Sequence, residues 1–379
     1  MRLLHTADWH LGRVLDMHEL LADQAHVLDQ LVELVRESKP DAVLIAGDVF
    51  DRAVAPPDAV ALLDDVLSRI AVGLRTPVVM IAGNHDSADR LGFGSRLMAS
   101  GGLRVAGRVG ATVEPLTLSD AHGETCIYAL PYGEPAAVRD AFATQVHDHE
   151  AAMRLRLDAI REAHPRSARS VLVAHAFVSG GSVSESERPL SIGGSGAVGH
   201  DVFDGFDYVA LGHLHRPQTL KGKLRYAGSL LKYSLSEVDH EKSVSLVELG
   251  APGTLRIEEI RLSPRRDFRV IEGELAALVA AGRRDPRNQD YVHARLVDTA
   301  AVLDAKAKLQ TVYPHLTGLR RLVLEQGATE THRAARLQRT PAELFAEFFA
   351  EVTGGPLADE HAAQLDGVLA RLDAEERMK

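Results

Sequence analysis

The feature that most constrains this chain is a pattern that occurs five times: a short apolar run, rich in β-branched residues, that ends in a polar cluster. The runs, in chain order, are RLLHTADWH, AVLIAGDVFD, PVVMIAGNHD, SVLVAHAF and YVALGHLH. Each has the length and composition of a buried strand, and its polar end indicates a functional loop. This pattern therefore predicts a sheet-based fold whose strand ends supply the reactive side chains.

Helical patterns separate the first three runs. Residues 18–38 and 57–72 have apolar residues at helical spacing, so the first half alternates strand and helix, an order that favours parallel strands. Between residues 124 and 262 strands dominate, and one helix is expected at about 136–163. We therefore predict an α/β fold in which a two-sheet β-sandwich is flanked by helices.

Residues 179–199 form a segment rich in glycine and serine, SGGSVSESERPLSIGGSGAVG, without apolar periodicity. It lies between two of the strands that end in polar clusters. Loops of this length without structure of their own are usually functional, so we expect a long mobile loop beside the reactive site. A passive surface excursion is the alternative.

The pattern changes after Pro264 to strand, helix, strand, helix, strand, which predicts a small separate α/β domain. Further on, Thr340, Pro341 and Glu343 supply the N-cap, the first-position proline and the acidic first turn of a helix that ends near residue 354. A second helix follows. The predicted domains are 1–264, a small α/β domain over 265–335, and a helical segment over 340–379.

The chain has a single cysteine, Cys126, and this limits its metal chemistry. One thiol forms neither an internal disulfide framework nor a thiolate zinc cluster. Any metal must therefore be held by histidine, aspartate, glutamate or asparagine, and the 18 histidines make that possible.

Charge and hydropathy restrict the class of partner. A net charge of −10 argues against a chain that coats DNA through a general basic surface. Residues 265–340, however, carry 14 Lys+Arg against 9 Asp+Glu, so any nucleic-acid footprint should lie there; a basic solvated face is the alternative. The start MRLLHTADWHLG lacks the charged and apolar regions of a signal peptide, and no apolar run approaches a membrane span. A cytoplasmic protein without a membrane partner is expected.

The polar clusters contain the ligand types that a pair of divalent cations requires. Two such ions need a shared carboxylate between them, with oxygen and imidazole ligands that leave positions open for water and phosphate. Asp48 is the natural bridge, and glycines at 47, 83 and 212 allow the backbone to approach closely beside the ligands. The predicted metal ligands are Asp8, His10, Asp48, Asn84, His175, His213 and His215.

The order D-x-H, G-D-x-x-D, G-N-H-D, apolar-x-H, G-H-x-H resembles the calcineurin-like metallophosphoesterase superfamily over residues 1–235. The resemblance implies a β-sandwich flanked by helices and two metals bridged by Asp48. It implies two Mn²⁺ ions, although the ligand types also accept Mg²⁺, Fe²⁺ or Zn²⁺. It implies one site formed by Asp8, His10, Asp48 and His215, and another formed by Asp48, Asn84, His175 and His213.

Three further stretches, DWHLG, SESERPLSIGG and ALGHLHRPQ, resemble the bacterial SbcD family of nuclease subunits, to which double-strand-break repair nucleases are more distantly related. The resemblance implies a subunit of the SbcCD complex that acts on DNA in repair, recombination and replication. It also implies that the domain over 265–335 is a capping domain that contacts DNA. It implies 3′-to-5′ duplex exonuclease and single-strand or hairpin endonuclease activity. The implied assembly is a homodimer, joined through a helical face near the N-terminal half, that binds two SbcC-type coiled-coil ATPase subunits.

Two residues near the ligands are predicted to be catalytic. His85 follows Asn84, and the family resemblance implies that it protonates the leaving oxygen or stabilises the transition state without binding metal. The alternative is that His85 only orients Asn84. Asp51 is expected to accept a hydrogen bond from His85 and to fix its tautomer. The roles of Arg52 and Asp86 stay open, as supports of the site or as phosphate contacts.

An aromatic face on the first C-terminal helix predicts a protein contact. Either this face folds back on its own domain, or it packs on the coiled-coil base of the ATPase, as the resemblance implies. The face comprises Leu344, Phe345, Phe348, Phe349 and Val352. Two other functions are considered: hydrolysis of small phosphodiesters or phosphoproteins, which the ligand types alone do not exclude, and a scaffold that has lost cleavage.

Overall fold

The computed structural model describes residues 1–188, 190, 196–300, 302–322, 340–353 and 355–376. The chain separates into two compact units, Met1–Arg269 and Val270–Lys379. The sequence predicts a first boundary at residue 264. The finer division of the second unit into a capping domain and a helical segment stays a prediction.

Sixteen strands described in the first unit form two six-stranded sheets and two small two-stranded sheets. They are β1 (Arg2–Thr6), β2 (Val14–Leu15), β3 (His18–Glu19), β4 (Ala42–Ile45), β5 (Val78–Ile81), β6 (Leu103–Ala106), β7 (Leu116–Asp120), β8 (Gly123–Leu130), β9 (Arg169–His175), β10 (Phe177–Val178), β11 (Ala197–Val198), β12 (Tyr208–Gly212), β13 (Gln218–Leu220), β14 (Leu224–Tyr226), β15 (Ser243–Leu249) and β16 (Leu255–Arg261). Among the described residues, one sheet has the order β16-β15-β1-β4-β5-β6 and the other β13-β14-β12-β9-β8-β7.

Helices of the first unit lie between these strands. They are α1 (Leu21–Ser38), α2 (Pro57–Leu67), α3 (Ala88–Leu91), α4 (Ser95–Met98), α5 (Pro135–Phe142) and α6 (His149–Ala163); a π-helical segment, Ser68–Gly73, extends α2. The helix predicted from residue 18 begins at Leu21, because His18–Glu19 instead pairs with Val14–Leu15 in a small hairpin.

The predicted single helix at 136–163 is wrong in its continuity. The chain leaves the helical conformation at Ala143, which has φ 50°, and α6 starts afresh after Asp148. The Asp148 carboxylate accepts the Ala151 N–H at 2.7 Å, which is an N-cap bond within the predicted span. This cap separates α5 from α6.

Parallel pairing sets the edge at which the strand ends meet. β4 lies between β1 and β5 and is parallel to both, and β12 is parallel to β9. Their residues are buried at nearly every position, because both faces of each sheet are covered, and this explains runs that are continuously apolar. One core contains Leu44 and Val79 from the first sheet and Val171 and Ala210 from the second. The two sheets therefore pack as a sandwich, with the carboxyl ends of parallel strands at a common edge in each.

The second unit follows the predicted order of strand, helix, strand, helix, strand. Its elements are β17 (Phe268–Gly273), which crosses the boundary, α7 (Leu275–Gly282), β18 (Tyr291–Leu296), α8 (Ala305–Gln310), β19 (Leu316–Arg321), α9 (Pro341–Thr353) and α10 (Asp359–Glu376). Thr340 and Glu343 form the predicted capping box, in which the Thr340 N–H donates to Glu343 Oε2 at 2.7 Å. The predicted fold class, α/β with sheets flanked by helices, is confirmed. None of the described helices has the length and apolar character to span a bilayer.

Candidate metal centre

The seven predicted ligands lie together where five strands end, on loops from both sheets. Asp8 and His10 follow β1, Asp48 follows β4, and Asn84 follows β5. The second sheet contributes His175 at the end of β9, and His213 and His215 after β12. The His213 N–H donates to the Asp8 carboxylate at 2.9 Å, which joins the loops of the two sheets. All of these side chains except Asn84 are buried, so their polar atoms require partners.

One group of ligand atoms surrounds His10. Asp8, His10 and Asp48 each offer an atom, and these atoms lie within 4.8 Å of one another. His10 Nε2 is 3.1 Å from His215 Nε2 and 3.7 Å from Asp48 Oδ2. The four side chains that the family resemblance assigned to one metal are therefore adjacent.

A second group surrounds Asn84. His175 Nε2 is 2.9 Å from Asn84 Oδ1 and 3.5 Å from Asp48 Oδ2. His213 Nδ1 is 3.1 Å from the same Asn84 oxygen. Asp48 Oδ2 therefore lies near a nitrogen of each group, as a bridging ligand would, and the bridging role itself stays a prediction.

The hydrogen bonds of His175 test whether this group suits a cation. Its Nδ1 donates to the Ala46 carbonyl oxygen at 2.9 Å, so in the neutral ring Nε2 carries a lone pair. That lone pair faces the Asn84 and Asp48 oxygens, while Asn84 Nδ2 has no hydrogen-bond partner among the described residues. His175 Nε2, Asn84 Oδ1 and Asp48 Oδ2 are acceptors that converge on one point, an arrangement that suits a divalent metal ion.

Ionisation of the buried ligands agrees with that fit. Burial, reinforced by neighbouring histidines, lowers the pKa of His10 and His213 well below the usual value. Burial also lowers the pKa of His175, although Asp48 opposes the change. The imidazoles are therefore neutral near pH 7, which is the form that binds metal. Burial and the Asp48 carboxylate raise the pKa of Asp8, a repulsion that a cation between the two groups removes.

Four of the ligands have backbone conformations that are uncommon outside glycine. Asp8, His10 and Asp48 have φ of 52°, 46° and 49°, and His213 has φ of 108°. Backbone hydrogen bonds hold them, since the Asp8 N–H donates to the Gly47 oxygen and the His10 N–H to the Asp48 oxygen, both at 3.0 Å. Such conformations persist only where the surroundings enforce them, and they concentrate at functional sites.

Close approach of the backbone explains two of the glycines. A Cβ at Gly83 would lie 2.2 Å from Asp48 Oδ1, and a Cβ at Gly212 would lie 2.0 Å from the Ala46 carbonyl oxygen. Neither contact is possible for a side chain. The prediction that glycine beside the ligands permits close packing is confirmed at these positions.

His85 lies at the edge of the centre with one nitrogen held by the protein. Its Nδ1 donates to the main-chain carbonyl of Asp51 at 2.8 Å, and its Nε2 is 4.0 Å from Asp48 Oδ2. The expected bond to Asp51 thus falls on the backbone, and the Asp51 carboxylate instead accepts a bond from Arg13 Nη1 at 3.0 Å. Because a carbonyl is present whatever residue stands at 51, this contact does not require an aspartate.

Asp86 connects two of the ligand loops. Its carboxylate accepts the N–H groups of Val49 at 3.1 Å, Phe50 at 2.9 Å and Gly83 at 2.9 Å. Burial, followed by the Asp48 charge, raises the pKa of Asp86 to about 7. Of the two roles left open by the sequence, the bonds of Asp86 correspond to support of the site. Arg52, by contrast, is largely exposed.

Comparison with known proteins was made for the whole sequence. Residues 1–217 match the family model of calcineurin-like phosphoesterases. The chain belongs to this family. Residues 264–353 of the phosphoesterase match a second model, SbcD_C, described as the type 5 capsule protein repressor C-terminal domain. Membership identifies a hydrolase that acts on phosphodiester bonds and uses divalent metal.

One relative matches almost the whole phosphoesterase. It is 29% identical over 367 residues to the SbcD subunit of the SbcCD nuclease of Staphylococcus epidermidis, with 96% of each chain covered, which confirms the resemblance to the SbcD family. A solved structure, that of the protein TT1561 of Thermus thermophilus, is 16% identical and covers 68% of this chain and 98% of its own, with a TM-score of 0.39. A score of that size carries no argument about function.

Several residues that the sequence patterns did not indicate hold the ligand loops of the phosphoesterase. Gln24 Nε2 donates to the carbonyl oxygens of Trp9 at 3.0 Å and His10 at 2.7 Å. The Tyr233 hydroxyl donates to the same Trp9 oxygen at 2.6 Å. Arg13 lies over the Tyr233 ring, 5.0 Å from its centre. The hydrogen-bonded partners are 14 to 224 residues apart in the chain, so no local spacing signals them.

Proposed function

We propose that this phosphoesterase is a two-metal DNA nuclease, the catalytic subunit of a complex with an SbcC-type ATPase, and that Mn²⁺ is its metal. The observation that carries the chemistry is the position of Asp48, whose Oδ2 lies 3.7 Å from His10 Nε2 and 3.5 Å from His175 Nε2. DNA as the substrate is supported by the relative, which is named a nuclease subunit.

In this proposal the chain's own residues bind the metal ions, orient the reacting groups and transfer a proton. Two divalent cations, when bound, supply Lewis acidity and lower the pKa of a water nucleophile. Asp8, His10, Asp48 and His215 would hold one ion, and Asp48, Asn84, His175 and His213 the other. The Asp51 carbonyl accepts the His85 Nδ1–H, so Nε2 carries a lone pair in the neutral ring, and His85 gives a proton to the leaving oxygen from Nε2 as the doubly protonated imidazolium.

Digestion of end-labelled linear duplex and hairpin DNA in Mn²⁺ tests the substrate. We expect cleavage from 3′ ends and opening of hairpins, both stopped by a chelator, and slow hydrolysis of a small aryl phosphate diester. Efficient hydrolysis of the small diester without cleavage of DNA would support the rival function, a phosphoesterase for small substrates.

Basic residues on the sheet of the second unit support the proposed DNA contact. Arg295 on β18 pairs in register with Arg320 on β19. Arg295 is partly exposed, and Arg320 is exposed. Adjacent cationic side chains on one sheet suit the regularly spaced phosphates of a nucleic acid.

Charge reversal at Arg295 is expected to weaken DNA binding and to make it less dependent on salt, because a phosphate contact is lost. Unchanged binding would contradict the contact.

The aromatic face of α9 supports the proposed contact with the ATPase. Phe345 and Phe348 are 42% and 58% exposed. Large apolar side chains that stay exposed on a helix are typical of a protein contact.

Removal of residues 341–379 is expected to abolish co-purification with the ATPase while the nuclease keeps its metals. Full retention of the ATPase would contradict this role, and Glu360→Gln, an exposed change on α10, is the control.

An apolar cavity in the first unit supports the proposed homodimer. It has a volume of about 650 Å³ and is lined by α2 residues such as Val60 and by Phe93. Phe93 is 84% exposed, and neighbouring Leu97 is 81% exposed.

We expect Phe93→Asp to halve the molar mass measured by light scattering, because a carboxylate buried in the dimer interface opposes association. A matched change at an exposed leucine elsewhere, Leu303→Asp, should leave the mass unchanged; an unchanged mass in Phe93→Asp contradicts this surface.

A further inference from the structure

His215 is held on its outer side by the loop that follows β10. Ser186 Oγ is 2.7 Å from His215 Nδ1, and the same hydroxyl donates to Glu237 Oε1, which is itself 3.3 Å from Nδ1. Because the serine proton goes to the carboxylate, the serine oxygen accepts the Nδ1–H. This arrangement fixes the tautomer of His215 and leaves its Nε2 lone pair directed at His10.

The main chain of His215 is held as firmly as its ring. Its N–H donates to Glu187 Oε1 at 2.6 Å, and the other oxygen of Glu187 accepts the Ser184 N–H at 2.8 Å. Its carbonyl accepts a bond from Lys242 Nζ at 2.8 Å. Every polar group of His215 outside the centre therefore meets a side chain distant in sequence.

A buried ion pair completes the contacts around His215. Glu237 and Lys242 form an ion pair whose side chains are 0% and 5% exposed, and Ser229 Oγ lies 3.4 Å from the same carboxylate. Although burial acts to raise it, Lys242 and His215 lower the pKa of Glu237 well below the usual range. Removing two charges from water is costly, so the pair must hold a close geometry, and here it places Glu237 Oε1 3.3 Å from His215 Nδ1.

The other imidazole group is held differently. His175 Nδ1 donates to a main-chain carbonyl, that of Ala46, and its Nε2 lies beside Asn84. Within the described part of the chain, neither nitrogen of His175 is bonded to the loop after β10. His175 is thus fixed by a main-chain carbonyl, whereas His215 is fixed by side chains of the loop after β10 and by Glu237.

We infer that Ser186, Glu187 and Glu237 are positioning residues for His215, so that residues 184–187 of the loop after β10 orient a ligand of one metal site, whereas none of these four residues bonds a ring nitrogen of His175. The inference rests on the proposed function, which divides the ligands between two ions. It gives the described part of the predicted loop a defined role; residues 189 and 191–195 of that loop lie outside the described residues.

Titration of the metal-free full chain with Mn²⁺ tests the inference. In Glu187→Gln the amide offers one acceptor where the carboxylate offers two, so either the His215 or the Ser184 N–H loses its bond. We expect one of two binding events to weaken about 10- to 100-fold, the usual effect of removing a residue that orients a metal ligand, while the other stays unchanged. Glu185→Gln is the matched control, because Glu185 is an exposed carboxylate on the same loop.

A second pair of variants separates positioning from folding. Ser186→Ala removes the acceptor of the Nδ1–H and should weaken the same binding event, whereas Ser186→Thr keeps the hydroxyl and should restore it. Thermal unfolding of each metal-free variant shows whether the fold is retained. Two unchanged binding events in Glu187→Gln, or equal weakening of both, would overturn the inference. Failure of the unmodified chain to bind two ions would instead overturn the proposed function.

Discussion

Replacement of Asp48 by asparagine is expected to abolish binding of both metal ions and to lower DNA cleavage about 10⁴-fold or more, the scale on which loss of a central catalytic group acts. The reason is that Asp48 Oδ2 lies beside nitrogens of both ligand groups. The amide keeps one oxygen for the His85 N–H, which now donates to Asp48 Oδ1 at 2.9 Å, so the loop should still fold.

Metal content after dialysis, together with steady-state cleavage, measures this effect. Asp140→Asn, which makes the same chemical change on α5, away from the ligand loops, should leave both quantities unchanged. An Asp48→Asn protein that retains two ions would show that Asp48 is not the bridge.

Replacement of His85 by glutamine is expected to separate chemistry from metal binding. DNA cleavage should fall about 10²- to 10⁴-fold, the usual contribution of a positioned acid or base, while both ions stay bound. The side chain of His85 is 13% exposed, and its Nδ1 is engaged by the Asp51 carbonyl, so only Nε2 is left for the substrate.

The measurements are metal content and the rate of a single turnover with enzyme in excess, which excludes product release. His122→Gln, at an exposed turn, is the control. Joint loss of metal and cleavage in His85→Gln would contradict an acid role, because it would place His85 among the groups that hold the centre.

The strand ends were predictable because a physical rule connects them. Parallel strands place their carboxyl ends at one edge of the sheet, so the polar residues after β1, β4 and β5 were expected to lie close together. Glycine before a ligand also has a local cause, as Gly83 and Gly212 show.

Contacts that join distant parts of the chain were not predictable. Glu187 and Glu237 meet His215 across 28 and 22 residues, and no spacing rule connects them. The bond from His85 to Asp51 uses the backbone, which a sequence does not distinguish from a carboxylate contact. The break between α5 and α6 was missed because apolar periodicity outweighed the capping signal at Asp148.

The proposed ligands all lie at or just after strand ends of the sandwich, within Met1–Arg269, whereas the basic sheet and the aromatic helix lie in Val270–Lys379. In the proposed function the catalytic residues and the residues that bind DNA and the partner therefore occupy successive parts of the chain. Replacement of the second unit would change what the protein binds and leave the catalytic residues in place.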